Sequence, residues 1–288
     1  MRIAVLSDIH GNYHALRACV SHAIGHGATT FWFLGDYVGE FPKPQRVMTY
    51  LYNLQKKYDC VFLRGNKEDY YLDGKFNPDC EWLKGNQTTG ALKYTLAHLT
   101  AKDLSFFRDL PISTTIHTPG MPDILLCHGS AENNKQKLLP DDAQTEEIVK
   151  NYAESYIICG HTHKQGIIKE GKKHVYNAGS VGVPLGCKGH AQYLLLEAAE
   201  KKWQPHFISL PMNLDLIEKE MTCSDILDYA PAWCSVVIQV LRTGKYSQGT
   251  VLNEAMKMDQ YQSPYHSVPD ACWEKALAHY DIPLLTRN

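Results

Sequence analysis

An α/β fold with two sheets and flanking helices is expected from three features of the chain. Short apolar runs, Ile3-Ala4-Val5-Leu6, Phe31-Trp32-Phe33-Leu34 and Cys60-Val61-Phe62-Leu63, have the length and composition of buried parallel strands. The stretches between them repeat apolar residues at helical spacing, so strand and helix alternate as in right-handed βαβ units. Further strand-like runs precede a helical tail, enough for a second sheet.

The first run stops at Ser7-Asp8-Ile9-His10-Gly11-Asn12, a loop at the carboxyl end of a strand, where open α/β sheets bind ligands. Asn12 suits a helix N-cap, and residues 13–26 follow as a helix whose Leu16, Val20 and Ile24 face a sheet, ended by Gly25 and Gly27. The second run ends at Gly35-Asp36. Val47, Leu51 and Leu54 stripe the next helix, and the third run ends at Arg64-Gly65-Asn66-Lys67-Glu68. From about 70 to 110 the spacing of Leu92, Leu96 and Leu99, then Leu104, Phe107 and Leu110, predicts an inserted helical cap closed by Pro111.

Residues 112–117 and 123–127 read as strands around a Pro/Gly turn, the second delivering His128-Gly129. A helix over 145–152 leads to Tyr156-Ile157-Ile158-Cys159, which delivers Gly160-His161-Thr162-His163. Runs at 166–170, 173–177, 192–197 and 204–210 read as a meander closing the second sheet. Beyond Pro211 the pattern is helical, with Leu214, Ile217 and Met221 on one face and an amphipathic run over 270–280. The expected division is therefore a domain over 1–210 and a helical extension over 211–288. The aromatic residues of that extension, Trp233, Tyr261, Tyr265 and Trp273, suit a core, a lid over the site, or a face through which the chain would form a homo-oligomer.

Composition excludes several classes. With 29 basic and 31 acidic residues among 288, no global field favours nucleic acid or anionic lipid. No apolar run approaches the roughly 20 residues that span a bilayer, and Met1-Arg2 leads directly into strand, so a cytosolic protein is expected. Nine cysteines without a Cys-x-x-Cys pair, three of them (Cys60, Cys127, Cys159) inside apolar runs, read as buried small hydrophobes rather than disulfides or zinc thiolates.

Asp8, His10, Asp36, Asn66, His128, His161 and His163 all follow an apolar run, so five strand ends carry ligand-type groups. Imidazole nitrogen with carboxylate or amide oxygen, and no thiolate, suits Mn, Fe or Zn better than calcium. Seven such groups are too many for one tetrahedral ion and about right for two divalent transition-metal ions sharing a carboxylate.

The order Asp-x-His, Gly-Asp, Gly-Asn, His and Gly-His-x-His resembles that of the calcineurin-like metallophosphoesterases over roughly residues 1–210. Asn177-Ala178-Gly179-Ser180-Val181-Gly182 is similar to the Asn-Pro-Gly-Ser-Val-Gly loop of small bacterial and archaeal members, and parts of the chain resemble the diadenosine tetraphosphatase branch. The resemblance implies a four-layer α/β/β/α sandwich, one ion on Asp8, His10, Asp36 and His163, a second on Asp36, Asn66, His128 and His161, and Asp36 as the bridge. It also implies hydrolysis of a phosphodiester, phosphoanhydride or phosphomonoester by a metal-bridging hydroxide attacking phosphorus in line. Asp36 and Asn66 are then catalytic as well as ligating. Arg64 is a candidate phosphate clamp, with a salt bridge as its equal alternative.

Lys67 stands where many members have the histidine of Gly-Asn-His. An ammonium with a reference pKa of about 10.4 is a weaker proton donor than imidazolium near neutrality, so Lys67 is expected to act as a charge and the enzyme to prefer good leaving groups, phosphodiesters or anhydrides. Gly35-Asp36-Tyr37-Val38-Gly39 lacks the Asp-Arg-Gly of the Ser/Thr protein phosphatases, and Cys127-His128-Gly129-Ser130 lacks their second glycine. The expected substrate is accordingly a small phosphate ester or nucleotide. The alternative is a non-catalytic interaction module like the retromer scaffold subunit, whose similar fold carries a degenerate metal site.

Overall fold

The computed structural model describes residues 1–287, apart from the side chains of residues 169 and 170. The first three apolar runs form β1 (Arg2–Leu6), β2 (Thr30–Phe33) and β3 (Asp59–Phe62), parallel and in register, with Leu6 opposite Phe33 and Phe33 opposite Phe62. That register brings the three strand ends level. The period-two alternation then divides the side chains: Ala4, Leu6, Phe31 and Phe33 pack under α1 (Tyr13–Gly25) and α2 (Pro44–Leu54), while Ile3, Val5 and Trp32 face the other sheet. In α1 the buried stripe is Leu16, Cys19, Val20 and Ala23. Ile24, expected to face the sheet, is 39% exposed, lying at the margin of that stripe in the last turn of the helix.

The insert is α3 (Asn66–Phe76), α4 (Gln87–His98) and α5 (Ala101–Asp109), with Leu92, Leu104 and Phe107 buried in the core beneath α1 and α2. The second sheet holds β4 (Ser113–Ile116), β5 (Ile124–Cys127), β6 (Tyr156–Cys159), β7 (Gly166–Glu170) and β8 (Lys173–Asn177) in the order β4-β5-β6-β8-β7, with β5, β6 and β8 parallel. Its outer face packs on α6 (Ala143–Lys150) through Leu125, Cys127, Val149, Ile157 and Cys159. Two helical layers thus enclose two sheets.

The meander is split between the sheets, which corrects the sequence expectation. β9 (His190–Ala199) runs antiparallel beside β1, and β10 (Lys202–Pro211) beside β9, so both extend the first sheet, in the order β10-β9-β1-β2-β3. An alternating strand carries no mark of which sheet edge it will pair with, and here the apolar partners are Ile3 and Val5 against Leu196 and Leu194.

The tail forms α7 (Leu214–Thr222), α8 (Pro231–Thr243), α9 (Gln248–Met258) and α10 (Asp270–His279) around a further core, in which Ile217, Met221, Val237, Val251 and Trp273 pack with Phe41, Tyr94 and Val183 from the first 210 residues. Trp273 stacks edge-on to Trp233, whereas Tyr261 and Tyr265 are exposed. All nine cysteines are free; Cys127 and Cys159 are buried as expected, and Cys60 is only partly so. No helix among the described residues is long and apolar enough to cross a membrane.

Candidate metal centre

Strand pairing continues past the strand ends and shapes the loops that follow. Asp8 and His10 donate backbone N–H groups to the carbonyls of Gly35 and Asp36, and Gly160 donates to the carbonyl of His128, so the loops after β1 and β2, and those after β5 and β6, advance together. Asp8, His10, Asp36, His161 and His163 all take left-handed backbone conformations, with φ between 54° and 63°. For non-glycine residues that region is sparsely used and mildly strained, and it clusters at functional sites. Two motif glycines have a steric reason. A Cβ on Gly65 would lie 2.3 Å from Asp36 Oδ1, and one on Gly160 would lie 2.0 Å from Ser7 Oγ and 2.6 Å from Asp8 Oδ2.

The seven sequence-predicted ligands converge. Asp8, His10 and His163 form one group and Asp8, Asp36 and His128 another, each with its ligand atoms within 4.8 Å of one another. Asp8 Oδ1 stands 3.1, 3.7 and 3.9 Å from Nε2 of His163, His10 and His128. Asp36 spans the groups, with Oδ2 3.8 Å from His10 Nε2 and Oδ1 3.6 Å from His128 Nε2. Asn66 Oδ1 reaches within 3.1 Å of His128 Nε2. The His161 ring lies 5.2 Å from that of His128, and its backbone N–H donates to Asp8 Oδ2.

Outer contacts aim the rings. Nδ1 of His128 meets the carbonyl of Leu34 at 3.0 Å, and Nδ1 of His163 that of Val183 at 2.7 Å. A carbonyl can only accept, so both rings carry hydrogen on Nδ1 and turn the Nε2 lone pair inward, the tautomer a metal ligand requires. The consequence is a set of acceptors facing acceptors: Nε2 of His163 lies 3.1 Å from Asp8 Oδ1, Nε2 of His128 lies 3.1 Å from Asn66 Oδ1, and Asp8 Oδ1 is buried without a hydrogen bond. Such an arrangement repels itself unless a cation occupies the space between. The donor set and its orientation fit one or more divalent ions.

The loop similar to Asn-Pro-Gly-Ser-Val-Gly holds these turns in place. Asn177 Nδ2 donates to the carbonyl of Gly160 and to Thr162 Oγ1, Ser180 Oγ donates to the carbonyl of Asp8, and the N–H groups of Val181 and Gly182 donate to the carbonyls of Ser7 and Asp8. Asn12 caps α1, accepting from the N–H of Ala15. Glu68, in the first turn of α3, accepts from the N–H groups of Gly65, Asp36 and Tyr37 and so fixes the Asp36 turn against the Asn66 turn. Burial and the charge of Asp36 push the Glu68 carboxyl up to about 7.

Glu40 is the residue that sequence reasoning missed. Its Oε2 lies 2.5 Å from His10 Nδ1 and its Oε1 2.9 Å from Lys67 Nζ; Glu40 and His10 are buried and Lys67 is partly so. Burial disfavours each of these charges, yet their mutual attraction prevails. It holds Glu40 well below the usual carboxylate range, raises Lys67, and pushes His10 up to about 10. His161 goes the other way, to about 4, through burial and the neighbouring His128. The available signal was a lone carboxylate in the run Tyr37-Val38-Gly39-Glu40-Phe41. Arg64 Nε pairs with Asp69 Oδ1 at 3.0 Å and its Nη1 donates to the carbonyl of Arg108.

Residues 1–165 match the family profile of the calcineurin-like phosphoesterases. The chain is 27% identical over 217 residues to an uncharacterized protein of Methanocaldococcus jannaschii, a match covering 69% of this chain and 84% of that one. Its fold is similar to the crystal structure of a hypothetical protein from Pyrococcus horikoshii OT3, at 24% identity and TM-score 0.70 over 85% of this chain and 99% of that one. It is also similar to a metallophosphoesterase from Sphaerobacter thermophilus, at 21% identity and TM-score 0.61 over 77% of this chain and 92% of that one. The matched stretch runs through every candidate ligand from Asp8 to His163, and the chain belongs to the calcineurin-like phosphoesterases.

Proposed function

We propose that this chain hydrolyses small phosphate esters, a phosphodiester, phosphoanhydride or phosphomonoester, with two divalent transition-metal ions, Mn, Fe or Zn. Asp8, His10, Asp36 and His163 would hold one ion and Asp36, Asn66, His128 and His161 the other, Asp36 bridging. The observation that carries this reading is the facing of acceptor on acceptor, His163 Nε2 on Asp8 Oδ1 and His128 Nε2 on Asn66 Oδ1, with that Asp8 oxygen buried and without a hydrogen bond. When bound, such a pair of ions supplies a nucleophile from water near neutral pH and offsets charge on the phosphate oxygens.

The chain's own residues do the rest. Asp8 and Asp36 are the only anionic ligands, so the loaded centre keeps net positive charge to hold a phosphate. Lys67, tied to Glu40, contributes a fixed ammonium at the edge of the centre. Because that ammonium is paired and its pKa raised, it is a poor proton donor, which supports a preference for good leaving groups. Hydrolysis of bis(4-nitrophenyl) phosphate with added Mn²⁺, beside an Asp36→Ala control, tests the reading. Metal-dependent turnover lost in the control is the expected result, and no turnover in the intact protein would favour a non-catalytic scaffold.

A further inference from the structure

A cavity of about 590 Å³ adjoins the candidate centre. It is lined by His161, Thr162, His163 and Lys164 and by residues 244–250, which comprise the turn joining α8 to α9 and the first residues of α9. Lys137, from the loop between β5 and α6, also lines it. Gly244 ends α8 in the left-handed conformation, φ 65°, and turns the chain so that Lys245 comes to the wall. Three lysines thus line a space to which no aspartate or glutamate contributes, in a chain whose net charge is −2.

Among the described residues four lysines are ion-paired, Lys43 with Glu220, Lys67 with Glu40, Lys84 with Glu81 and Lys257 with Glu254; what sets Lys137, Lys164 and Lys245 apart from the other unpaired lysines is that they line one cavity beside the centre. Among the described residues, Lys137, Lys164 and Lys245 have no carboxylate partner, so their charge is available to a ligand. An ammonium is a compact point charge that suits phosphate, and the volume lies within the range of small-molecule sites. The cavity reaches the centre through His161 and His163, so a single molecule has room to place one group among the lysines and another at the centre.

We propose that Lys137, Lys164 and Lys245 seat a second phosphate of the substrate, and that the preferred substrates are small molecules carrying two phosphoryl groups. The assignment rests on the phosphoesterase reading of the centre. It gives the tail a role: Lys245 lies outside the family-matched residues 1–165, so this part of the substrate is selected by the chain's own extension.

Calorimetric titration of the metal-loaded protein with α,ω-alkane bisphosphonates of increasing length, beside the matching alkyl monophosphonates, tests it without turnover. At one length or more the bisphosphonate is expected to bind about tenfold more tightly, the scale of a few exposed ammonium–phosphate contacts. K137A with K245A should remove that advantage and leave monophosphonate affinity and bis(4-nitrophenyl) phosphate turnover unchanged. Equal affinities at every length, or an advantage that survives the double substitution, overturns the proposal. A single-stranded oligonucleotide that binds more tightly than every bisphosphonate overturns the small-molecule assignment. Absence of bis(4-nitrophenyl) phosphate turnover in the wild type defeats the hydrolase reading separately, because the affinity ratio is measured independently.

Discussion

The two halves of the candidate centre are held by different chemistry. Behind His10 stands a carboxylate, Glu40, backed in turn by Lys67; behind His128 stands only the Leu34 carbonyl, and the ring of His161 has no hydrogen bond to any described residue. A carbonyl fixes a ring's orientation, whereas a carboxylate also increases its basicity and its strength as a ligand. The same carboxylate favours a proton on His10 when no metal is present. The His10 half is therefore expected to bind its ion tightly and in competition with a proton, and the Asn66–His128–His161 half to bind more weakly with less dependence on pH.

The largest effect should come from Asp36, the residue that the proposed assignment shares between the two halves. Asp36→Ala is expected to abolish metal-dependent hydrolysis and to lower metal content in both halves, as read by turnover with elemental analysis. Loss of one ion alone would show that Asp36 serves only one half. Next is Glu40→Gln, which keeps the shape but removes the charge behind His10. It should weaken one of the two metal affinities by about 10- to 100-fold and leave the other, a split visible by calorimetry. Equal weakening of both would erase the contrast between the halves.

The His10 proton makes a pH prediction of definite sign. A histidine raised from 6.5 to about 10 in the folded state stabilises the fold fully below its unfolded value and loses that contribution as pH rises through the folded one. Metal-free protein should accordingly lose thermal stability between about pH 6.5 and 10. Loading at neutral pH should release a proton from His10, measured by calorimetry in buffers of different ionisation enthalpy. Glu40→Gln should reduce both effects, and a metal-free stability that rises over this window would contradict the assignment.

Smallest and most specific is Lys67→His. It should raise the rate on poor-leaving-group alkyl esters by up to about a hundredfold, the low end of what a positioned general acid supplies, with little change on bis(4-nitrophenyl) phosphate. No gain on a wild type that already cleaves alkyl esters well would remove the argument about leaving groups.

Much of this was legible because of how parallel strands work. A short apolar run ending at Asp8, Asp36, Asn66, His128 or His161 marks a strand's carboxyl end, and the register of β1, β2 and β3 brings such ends together whatever lies between. Residues that act from loops were not legible. Glu40 meets His10 only because the β1 and β2 loops stay paired beyond their strands, a tertiary fact that no local pattern encodes. The same limit applies to β9 and β10, whose alternation specifies strands without specifying a partner. It applies also to Arg64, whose charge alone could not distinguish phosphate from Asp69.

Anomalous diffraction from crystals grown with Mn²⁺, recorded near the metal absorption edge, tests the central claim most directly. Two peaks about 3.5–4 Å apart, both within bonding distance of Asp36, with His10 and His163 on one and Asn66 and His128 on the other, are predicted. No peak among these side chains, or one that engages neither Asp8 nor Asp36, would contradict the account.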